Sequence, residues 1–207
     1  MGTWTPDNQT APVTPAAGKS KVWVDSTTKK LAVTDDGGIR HGQLSKNFST
    51  ASQSPAVSTD VYLTNSGILI PSFGMEAGQR YSWVFTATKT ATGTTAYVAT
   101  LRLGVNQSVA DTARATLTAP QVQSNVVSHA IFFVEVLVRN VSATGQLIAA
   151  INCASNQGTT AAGFGGGVVN VPATFDNTAV AGQYLGLSIN TQAGAWTIDA
   201  LYAKLES

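Results

Sequence analysis

Two histidines, His41 and His129, are the side chains that could serve as the base of a serine-type nucleophile. A Ser-His-Asp site is defined by its geometry, and its serine usually stands on a sharp turn such as G-x-S-x-G. Neither histidine lies near such a turn in the sequence. We therefore assign no catalytic role to either of them.

Glycoside cleavage needs two carboxyl groups that the fold holds roughly 5 to 10 Å apart. The acidic residues of the later part of the chain are scattered, and we interpret them as surface or turn residues: Asp60, Glu76, Asp111, Glu135, Asp176 and Asp199. The sequence therefore favours a protein that is not an enzyme. A polysaccharide-degrading enzyme stays as an alternative, which two carboxylates in one cleft would support.

Two glycine-containing motifs resemble ligand loops but lack the required partners. The run Gly163 to Gly167 is followed by a strand pattern and not by Lys-Ser/Thr and a helix, so it is no phosphate loop. We predict a flexible loop there, with ligand or receptor contact through Phe164, Gly165 and Gly166 as the alternative. The run Asp35 to Gly38 lacks the spaced oxygens and distal Glu of a calcium loop and predicts a hairpin turn.

Cys153 is the single cysteine, so no internal disulfide can form. It lies in phase with Leu147, Ala149 and Ile151 on a strand pattern, where a cysteine behaves as a small buried hydrophobe. No cluster of cysteines or histidines has the spacing of a zinc site. The sequence predicts neither a metal nor a cofactor.

The composition excludes several classes of partner. Among 207 residues, charged residues make up 11% and the formal net charge is +1, so there is no basic footprint for nucleic acid or an anionic membrane. No apolar run approaches the ~20 residues of a membrane span. The amino terminus lacks the basic start and apolar run of a secretory signal, and we expect the protein to be made and assembled in a cytoplasm.

The amino-terminal part divides into three segments. Residues 1–18 are rich in Thr and Pro without periodicity, which predicts an extended arm. Residues 19–42 hold three short apolar runs between turn signals and predict a small β-meander. Residues 43–57 are polar and unpatterned, and we interpret them as a linker.

Residues 58–207 alternate short β-patterned runs with turn signals, which predicts an all-β chain ending in an antiparallel jelly-roll β-sandwich. Only Val105 to Thr118 could hold a short helix. Period-two alternation assigns the following residues to core faces: Tyr81, Trp83 and Phe85; Tyr97, Ala99, Leu101 and Leu103; Leu185, Leu187 and Ile189; Trp196, Ile198, Ala200 and Tyr202.

The run from His129 to Val138 is apolar on both faces. Phe132, Val134, Val136 and Val138 form one face, which suits the sandwich interior. The other face consists of Ile131, Phe133, Glu135 and Leu137. Large apolar patches are uncommon on monomers, so we predict that this second face is an oligomer interface. The alternative is that an extra strand or the linker covers it within one chain.

An apolar environment would also require a partner for Glu135, and we expect a basic or hydroxyl group, such as His129 or Arg139 of a neighbouring chain. Trp4 and Trp23 lie in a thinly packed amino-terminal region and indicate a docking surface. The alternative is that Trp23 fastens the meander to the large domain.

The segments PAAGKSKVWVD (Pro15 to Asp25) and KLAVTDDGG (Lys30 to Gly38) resemble the amino-terminal attachment segment of accessory virion proteins of tailed bacteriophages. The segments TDVYLT, ILIP and AGQRYSW between Thr59 and Trp83 are similar to the opening of the jelly-roll domain that follows in such minor tail or decoration proteins. The resemblance implies anchoring through the arm, with Trp4, Pro15, Gly18 and Trp23 as anchoring residues. It also implies a homotrimer and brings no catalytic residues.

We therefore expect a non-enzymatic structural component of a phage virion, tail or capsid, assembled with other phage structural proteins in the host cytoplasm. The alternative function is a receptor-binding or host cell-surface glycan-binding module. For that alternative, our candidate aromatic contact residues outside the predicted core are Phe164 and Tyr62.

Overall fold

A computed structural model describes residues 8–9, 13–27, 29, 31–34, 40–41, 43–89, 98–118, 128–155, 168–191 and 196–206. Within these ranges the chain consists of strands, turns and bends, and the expectation of an all-β fold is confirmed. No helix in the described ranges is long and apolar enough to cross a membrane. The strands pair almost entirely in antiparallel fashion, consistent with a β-sandwich. The jelly-roll topology stays a prediction.

The amino-terminal part forms a four-stranded sheet in the order β1-β2-β3-β4. Its strands are β1 (Asn8–Gln9), β2 (Lys21–Asp25), β3 (Leu31–Thr34) and β4 (Arg40–His41). Strands β2 to β4 are the antiparallel meander that the turn signals predict. Strand β1 adds to its edge in parallel with β2. The aperiodic arm sequence did not indicate this pairing, because the backbone of a two-residue strand can pair whatever the pattern of its side chains.

The remaining strands form two further sheets. The five-stranded sheet contains β6 (Val61–Tyr62), β7 (Ile68–Leu69), β9 (Val98–Gly104), β10 (Thr112–Thr118) and β14 (Tyr184–Asn190). The six-stranded sheet contains β5 (Gln43–Ser49), β8 (Arg80–Lys89), β11 (Ser128–Asn140), β12 (Gln146–Ser155), β13 (Val168–Asn170) and β15 (Trp196–Glu206). Its order is β13-β12-β11-β8-β15-β5. The inner side chains of both sheets form one core.

On β8, β9, β11 and β14 the apolar residues of the predicted inner faces point into the core, as expected. All described residues of the predicted faces on these strands are buried. In the centre of the core Phe132 stacks on Phe85, with ring centroids 5.0 Å apart, and meets the edge of Trp196. Cys153 is buried as well, and burial raises the pKa of its thiol to about 11. Of the predicted core residues, Tyr97 lies outside the described ranges.

Two segments contain strands that the sequence analysis did not predict. Gln43–Ser49, within the predicted linker, pairs antiparallel with β15 as the edge strand of the six-stranded sheet. Thr112–Thr118, within the predicted short helix, pairs antiparallel with β9. Both predictions are wrong for these residues. Strand β5 is mostly polar, and on β10 only Ala115 and Leu117 are buried. Neither segment therefore shows the alternation of apolar and polar residues that marks a strand in the sequence.

Strand β15 contains a β-bulge that reverses the two faces of the strand part-way along its length. The pairing with β8 shifts between Ile198 and Ala200, so Asp199 is an extra residue on this strand. Beyond the bulge the alternation is reversed, and Leu201 points into the core while Tyr202 is 37% exposed. The assignment of Ala200 and Tyr202 to the core is therefore wrong, because a single inserted residue moves every later side chain to the opposite face.

The amino-terminal sheet contacts the sandwich through β2. The buried indole of Trp23 donates a hydrogen bond to Thr34 Oγ1 at 3.0 Å and meets Phe73 edge-on, with centroids 6.0 Å apart. The buried carboxylate of Asp25 accepts hydrogen bonds from the backbone NH and the hydroxyl of Ser72. Trp23 therefore fastens the meander to the large domain, which is the second of the two alternatives for this residue.

Substitution of two neighbouring phenylalanines on β11 tests which face of the strand points into the core. Phe132 is fully buried and Phe133 is 41% exposed. We expect Phe132→Ala to lower the free energy of unfolding by about 3–5 kcal/mol, because it leaves a cavity in the core. Phe133→Ala should cost less than about 1 kcal/mol in dilute solution. Urea unfolding of both variants checks this, and equal losses would contradict the assignment of faces.

Candidate functional site

The outer face of the six-stranded sheet carries exposed apolar side chains, among them Phe48, Ile131, Phe133, Leu137 and Tyr202. We define the outer face by the described residues that point away from the core on five strands: Lys46 and Phe48 on β5; Ala200, Tyr202, Lys204 and Glu206 on β15; Arg80, Ser82, Val84 and Thr86 on β8; Ile131, Phe133, Glu135 and Leu137 on β11; Ile148, Ala150, Asn152 and Ala154 on β12.

Strand register arranges these side chains in rows that cross the sheet. One row consists of Phe48, Tyr202, Val84, Phe133 and Asn152, each opposite the next on the neighbouring strand. Strands lie about 4.8 Å apart, so this row spans about 19 Å. The row beside it is also largely apolar and consists of Ala200, Thr86, Ile131 and Ala154. We call these two rows the apolar band.

The apolar band is open to solvent in the described chain. Phe48 is 61% exposed, Phe133 41% and Ile131 40%. The alternative that the linker or an extra strand covers this face is wrong for the described residues. Strand β5 extends the sheet at its edge and does not lie across the face. The predicted interface residues Ile131, Phe133, Glu135 and Leu137 thus lie on one accessible surface.

Two shallow depressions lie along the band on either side of Thr86. One has a volume of about 450 Å³ and is lined mainly by His129, Ile131, Ala154 and Asp199. The other has a volume of about 390 Å³, and its lining includes the rings of Phe48 and Tyr202. Both are walled largely by apolar atoms, so the face has shallow recesses of a kind that apolar groups can fill.

A short hydrogen-bonded chain of polar groups closes one end of the band. Thr88 Oγ1 donates to Asp199 Oδ2 at 2.8 Å and lies 2.9 Å from His129 Nδ1. Because the hydroxyl proton of Thr88 goes to Asp199, His129 acts as the donor to Thr88 Oγ1. A catalytic triad requires the histidine between the nucleophile and the acid. Here the threonine holds that central position, so the geometry is not that of a triad.

Charged residues form the other end of the face. Arg80 Nη2 lies 2.7 Å from Glu135 Oε1, and Lys204 Nζ lies 2.7 Å from Glu206 Oε1. Glu135 thus has a partner within its own chain that the sequence analysis missed, because the register of β8 and β11 brings the two residues together. Arg139, which we expected as a partner, donates to Gln146 Oε1 at 2.8 Å.

On the opposite side of the sandwich, the guanidinium group of Arg102 is used within the fold. Arg102 donates from Nε to Ser188 Oγ at 2.7 Å and from Nη1 to the carbonyl oxygens of Val109 and Asp111, both at 2.8 Å. Its Nη2 forms an ion pair with Asp60. This cluster holds the β9–β10 loop against the sheet. The carboxylate of Asp60 also accepts a hydrogen bond from Ser188 Oγ at 3.0 Å, and the carboxylate of Asp111 accepts one from the backbone NH of Asn106 at 3.0 Å, so both serve as acceptors in the fold.

Tyr62 is not a platform for a ligand. It is half-buried, and its hydroxyl lies over Gly186, where a Cβ would have no room. Burial raises the pKa of the Tyr62 hydroxyl to about 12. The other predicted ligand residues, Phe164, Gly165 and Gly166, lie outside the described residues.

Of the predicted anchoring residues, Trp4 also lies outside the described ranges. Pro15 is half-buried, and Gly18 adopts a φ of +72° in a turn where the Lys19 NH donates to the Ala16 carbonyl at 2.9 Å. A positive φ favours glycine, so Gly18 has a conformational reason to be present. The anchoring role of the arm stays a prediction.

Sequence reasoning missed three aromatic and aliphatic members of the band. Phe48 lies in a strand that was interpreted as a linker, and Tyr202 follows the bulge. Val84 alternates with the core residues Trp83 and Phe85, so its place on the outer face was implicit in the sequence pattern. Only the register of the sheet could show that all three lie in one row.

The described residues contain no cluster of three or more metal-ligating side chains. A scan against protein-family models matched no family. A search of curated proteins found no significantly similar sequence. The function is therefore inferred from the geometry of the outer face and from the resemblance of the amino-terminal segment.

The Arg102 cluster gives a test of its structural role. Arg102→Lys retains the positive charge but cannot reach four acceptors with one ammonium group. We expect a loss of about 1–3 kcal/mol in the free energy of unfolding, since carbonyl groups of the β9–β10 loop lose their donors. Lys46→Arg on the outer face is the matched control and should leave stability unchanged. Denaturant unfolding measures both, and an unaffected Arg102→Lys would contradict the role.

Proposed function

We propose that the protein is a non-enzymatic assembly component that binds another protein subunit through the outer face of its six-stranded sheet. The observation that carries this proposal is the exposed apolar band, with charged residues at one end and the Thr88 cluster at the other. An apolar centre with a polar rim is the usual anatomy of a protein–protein interface. Large contiguous apolar patches are uncommon on soluble monomers.

The resemblance of Pro15 to Asp25 and Lys30 to Gly38 to virion attachment segments supports a place in a tailed-phage particle. In this proposal residues 1–42 bind a tail or capsid protein, and the sandwich is displayed beside further copies, three according to the resemblance. The burial of Trp23 against Phe73 supports the idea that the meander and the sandwich act as one unit. Mass spectrometry of purified particles, with copy-number counting, tests the virion assignment.

The subunit-binding proposal has a direct test in solution. Phe133→Asp places a charge in the centre of the band, where burial without a partner is costly. We expect sedimentation velocity of the full chain to show an oligomer that this variant converts to monomer. Thr116→Asp, on an exposed position of β10, is the matched control and should sediment like the parent. A monomeric parent at high micromolar concentration would overturn association between copies.

Glycan binding is a second candidate, favoured by the exposed rings of Phe48, Tyr202 and Phe133 in one row. Aromatic rings with an accessible face offer large apolar contact area next to polar groups. Calorimetry with purified host cell-wall polysaccharide tests this candidate. Binding by a monomeric chain that Tyr202→Ala abolishes would support it over subunit binding, and an absence of heat would remove it.

A further inference from the structure

We infer that a recess at one end of the five-stranded sheet binds a carboxylate group, with the guanidinium of Arg114 as its counter-charge. The recess has a volume of about 310 Å³ and lies where β9 leads into β10, beside the start of β14. It shares no residue with the outer face of the six-stranded sheet. This inference therefore concerns a second site and does not depend on the proposed subunit binding.

Strand register brings the walls of the recess together. Gly104 at the end of β9 pairs with Tyr184 at the start of β14, so Gln183 comes next to the β9–β10 loop. The backbone of Gln183 is fixed on both sides, because its carbonyl oxygen accepts from the Ile70 NH at 2.9 Å and its NH donates to the Val180 carbonyl at 3.1 Å. The polar residues of the walls are Asn106, Asp111, Thr112, Arg114 and Gln183.

A β-bulge sets the position of Arg114. The pairing of β10 with β9 shifts between Ala113 and Ala115, so Arg114 is the extra residue of the bulge. A bulge interrupts the regular alternation of a strand and redirects a side chain. The guanidinium carbon of Arg114 lies 4.1 Å from the centroid of the Phe175 ring. A cation over an aromatic ring is attracted by the ring face, so this contact holds the side chain beside the recess.

The charge of Arg114 has no counter-charge among the described residues. Arg114 takes part in no ion pair or hydrogen bond with them, and its Nε is buried without an acceptor. Burial lowers the pKa of the guanidinium, because a charge in this position is incompletely hydrated. Such a group costs free energy until it has a partner. Its remaining N–H donors lie on the two Nη atoms, where an anion would supply acceptor and counter-charge together.

The acidic groups on either side of Arg114 in the sequence are already used by the fold. Asp111 is buried, and its Oδ1 accepts from the backbone NH and the side-chain amide of Asn106, at 3.0 and 3.1 Å. Asp176 accepts from the hydroxyl and the backbone NH of Thr178, at 2.6 and 3.0 Å. Neither carboxylate forms an ion pair with Arg114. The guanidinium is therefore available to an external anion.

The charges around the recess favour a carboxylate over a phosphate or sulfate group. A carboxylate carries one negative charge, which one guanidinium balances, and its two oxygens match neighbouring N–H groups of the fork. A phosphate group carries nearly two charges at neutral pH. The excess charge would lie beside the buried carboxylate of Asp111, and like charges repel. Asn106, Thr112 and Gln183 offer amide and hydroxyl groups to the rest of the ligand.

The size of the recess limits the source of the carboxylate. Ligand pockets have volumes of roughly 300 to 1,000 Å³, so this recess of about 310 Å³ suits a small free acid or the end of a peptide chain. Both sources present the same group to Arg114. Acetate represents the free acid, and N-acetylglycine represents a peptide that ends in a free carboxyl group.

Titration of the full chain by NMR tests the site. We expect acetate and N-acetylglycine, at constant ionic strength, to shift the Nε–H signal of Arg114 and the side-chain amide signals of Asn106 and Gln183. N-acetylglycinamide, which lacks the charge, and sodium chloride should leave these signals unchanged. Tighter binding of N-acetylglycine than of acetate supports a carboxylate site for a peptide end, and equal binding supports a site for the carboxylate group alone.

Substitutions of Arg114 separate its charge from its shape. We expect Arg114→Gln, which removes the charge, to raise the dissociation constant for N-acetylglycine at least about tenfold. Arg114→Lys keeps the charge but loses the fork, and it should bind between Arg114→Gln and the parent. Arg139→Gln, at an exposed arginine on β11, is the matched control and should bind like the parent. Backbone amide signals far from the recess report whether each variant keeps the fold.

The results that would overturn this inference differ from those that test subunit binding. An absence of shifts in the parent chain at tens of millimolar acetate and N-acetylglycine would overturn the site. Tighter binding of sulfate than of N-acetylglycine would overturn the choice of a carboxylate. An equal loss of binding in Arg139→Gln and Arg114→Gln would overturn the role of Arg114. Each of these results leaves the sedimentation of the full chain, and so the proposed function, untouched.

Discussion

The antiparallel pairing of β8 with β11 is the interaction on which the rest of the structure depends. It places Phe132 on Phe85 within the core, and the same register places Phe133 beside Val84 on the outside. Because successive side chains of a strand point to opposite faces, β11 cannot bury one apolar face without exposing the other. The core therefore fixes which side chains of β11 point outward, and the apolar character of Ile131 and Phe133 makes them part of the apolar band.

The two outer faces of the sandwich use their polar groups for different purposes. On the five-stranded sheet, Arg102 reaches Ser188, Asp60 and two loop carbonyls, so its charge stabilises a loop. On the six-stranded sheet, the ion pairs Arg80–Glu135 and Lys204–Glu206 are exposed and contact no loop among their described partners. Exposed ion pairs contribute little to stability. Their position at the end of the apolar band agrees with the polar rim of the protein–protein interface that we propose.

Local patterns predicted much of the core and only part of the site. The alternation of Tyr81, Trp83 and Phe85 and of Leu185, Leu187 and Ile189 located buried faces, because apolar period-two patterns reflect burial directly. The prediction failed at Tyr202, where the bulge at Asp199 reverses the faces, and at Phe48, whose polar strand pairs through its backbone. Both errors concern hydrogen-bond register between distant segments, which local composition does not encode.

The sequence by itself determined the all-β class, the burial of Phe132 and Cys153, and the outward direction of Ile131, Phe133 and Leu137. These properties follow from side-chain polarity and the period of a strand. The tertiary structure decided which strands are neighbours, and so brought Phe48, Tyr202, Val84 and Phe133 into one row and Arg80 onto Glu135. The physical reason is that a row across a sheet joins residues from segments far apart in the chain, whose register is set by the packing of the whole core.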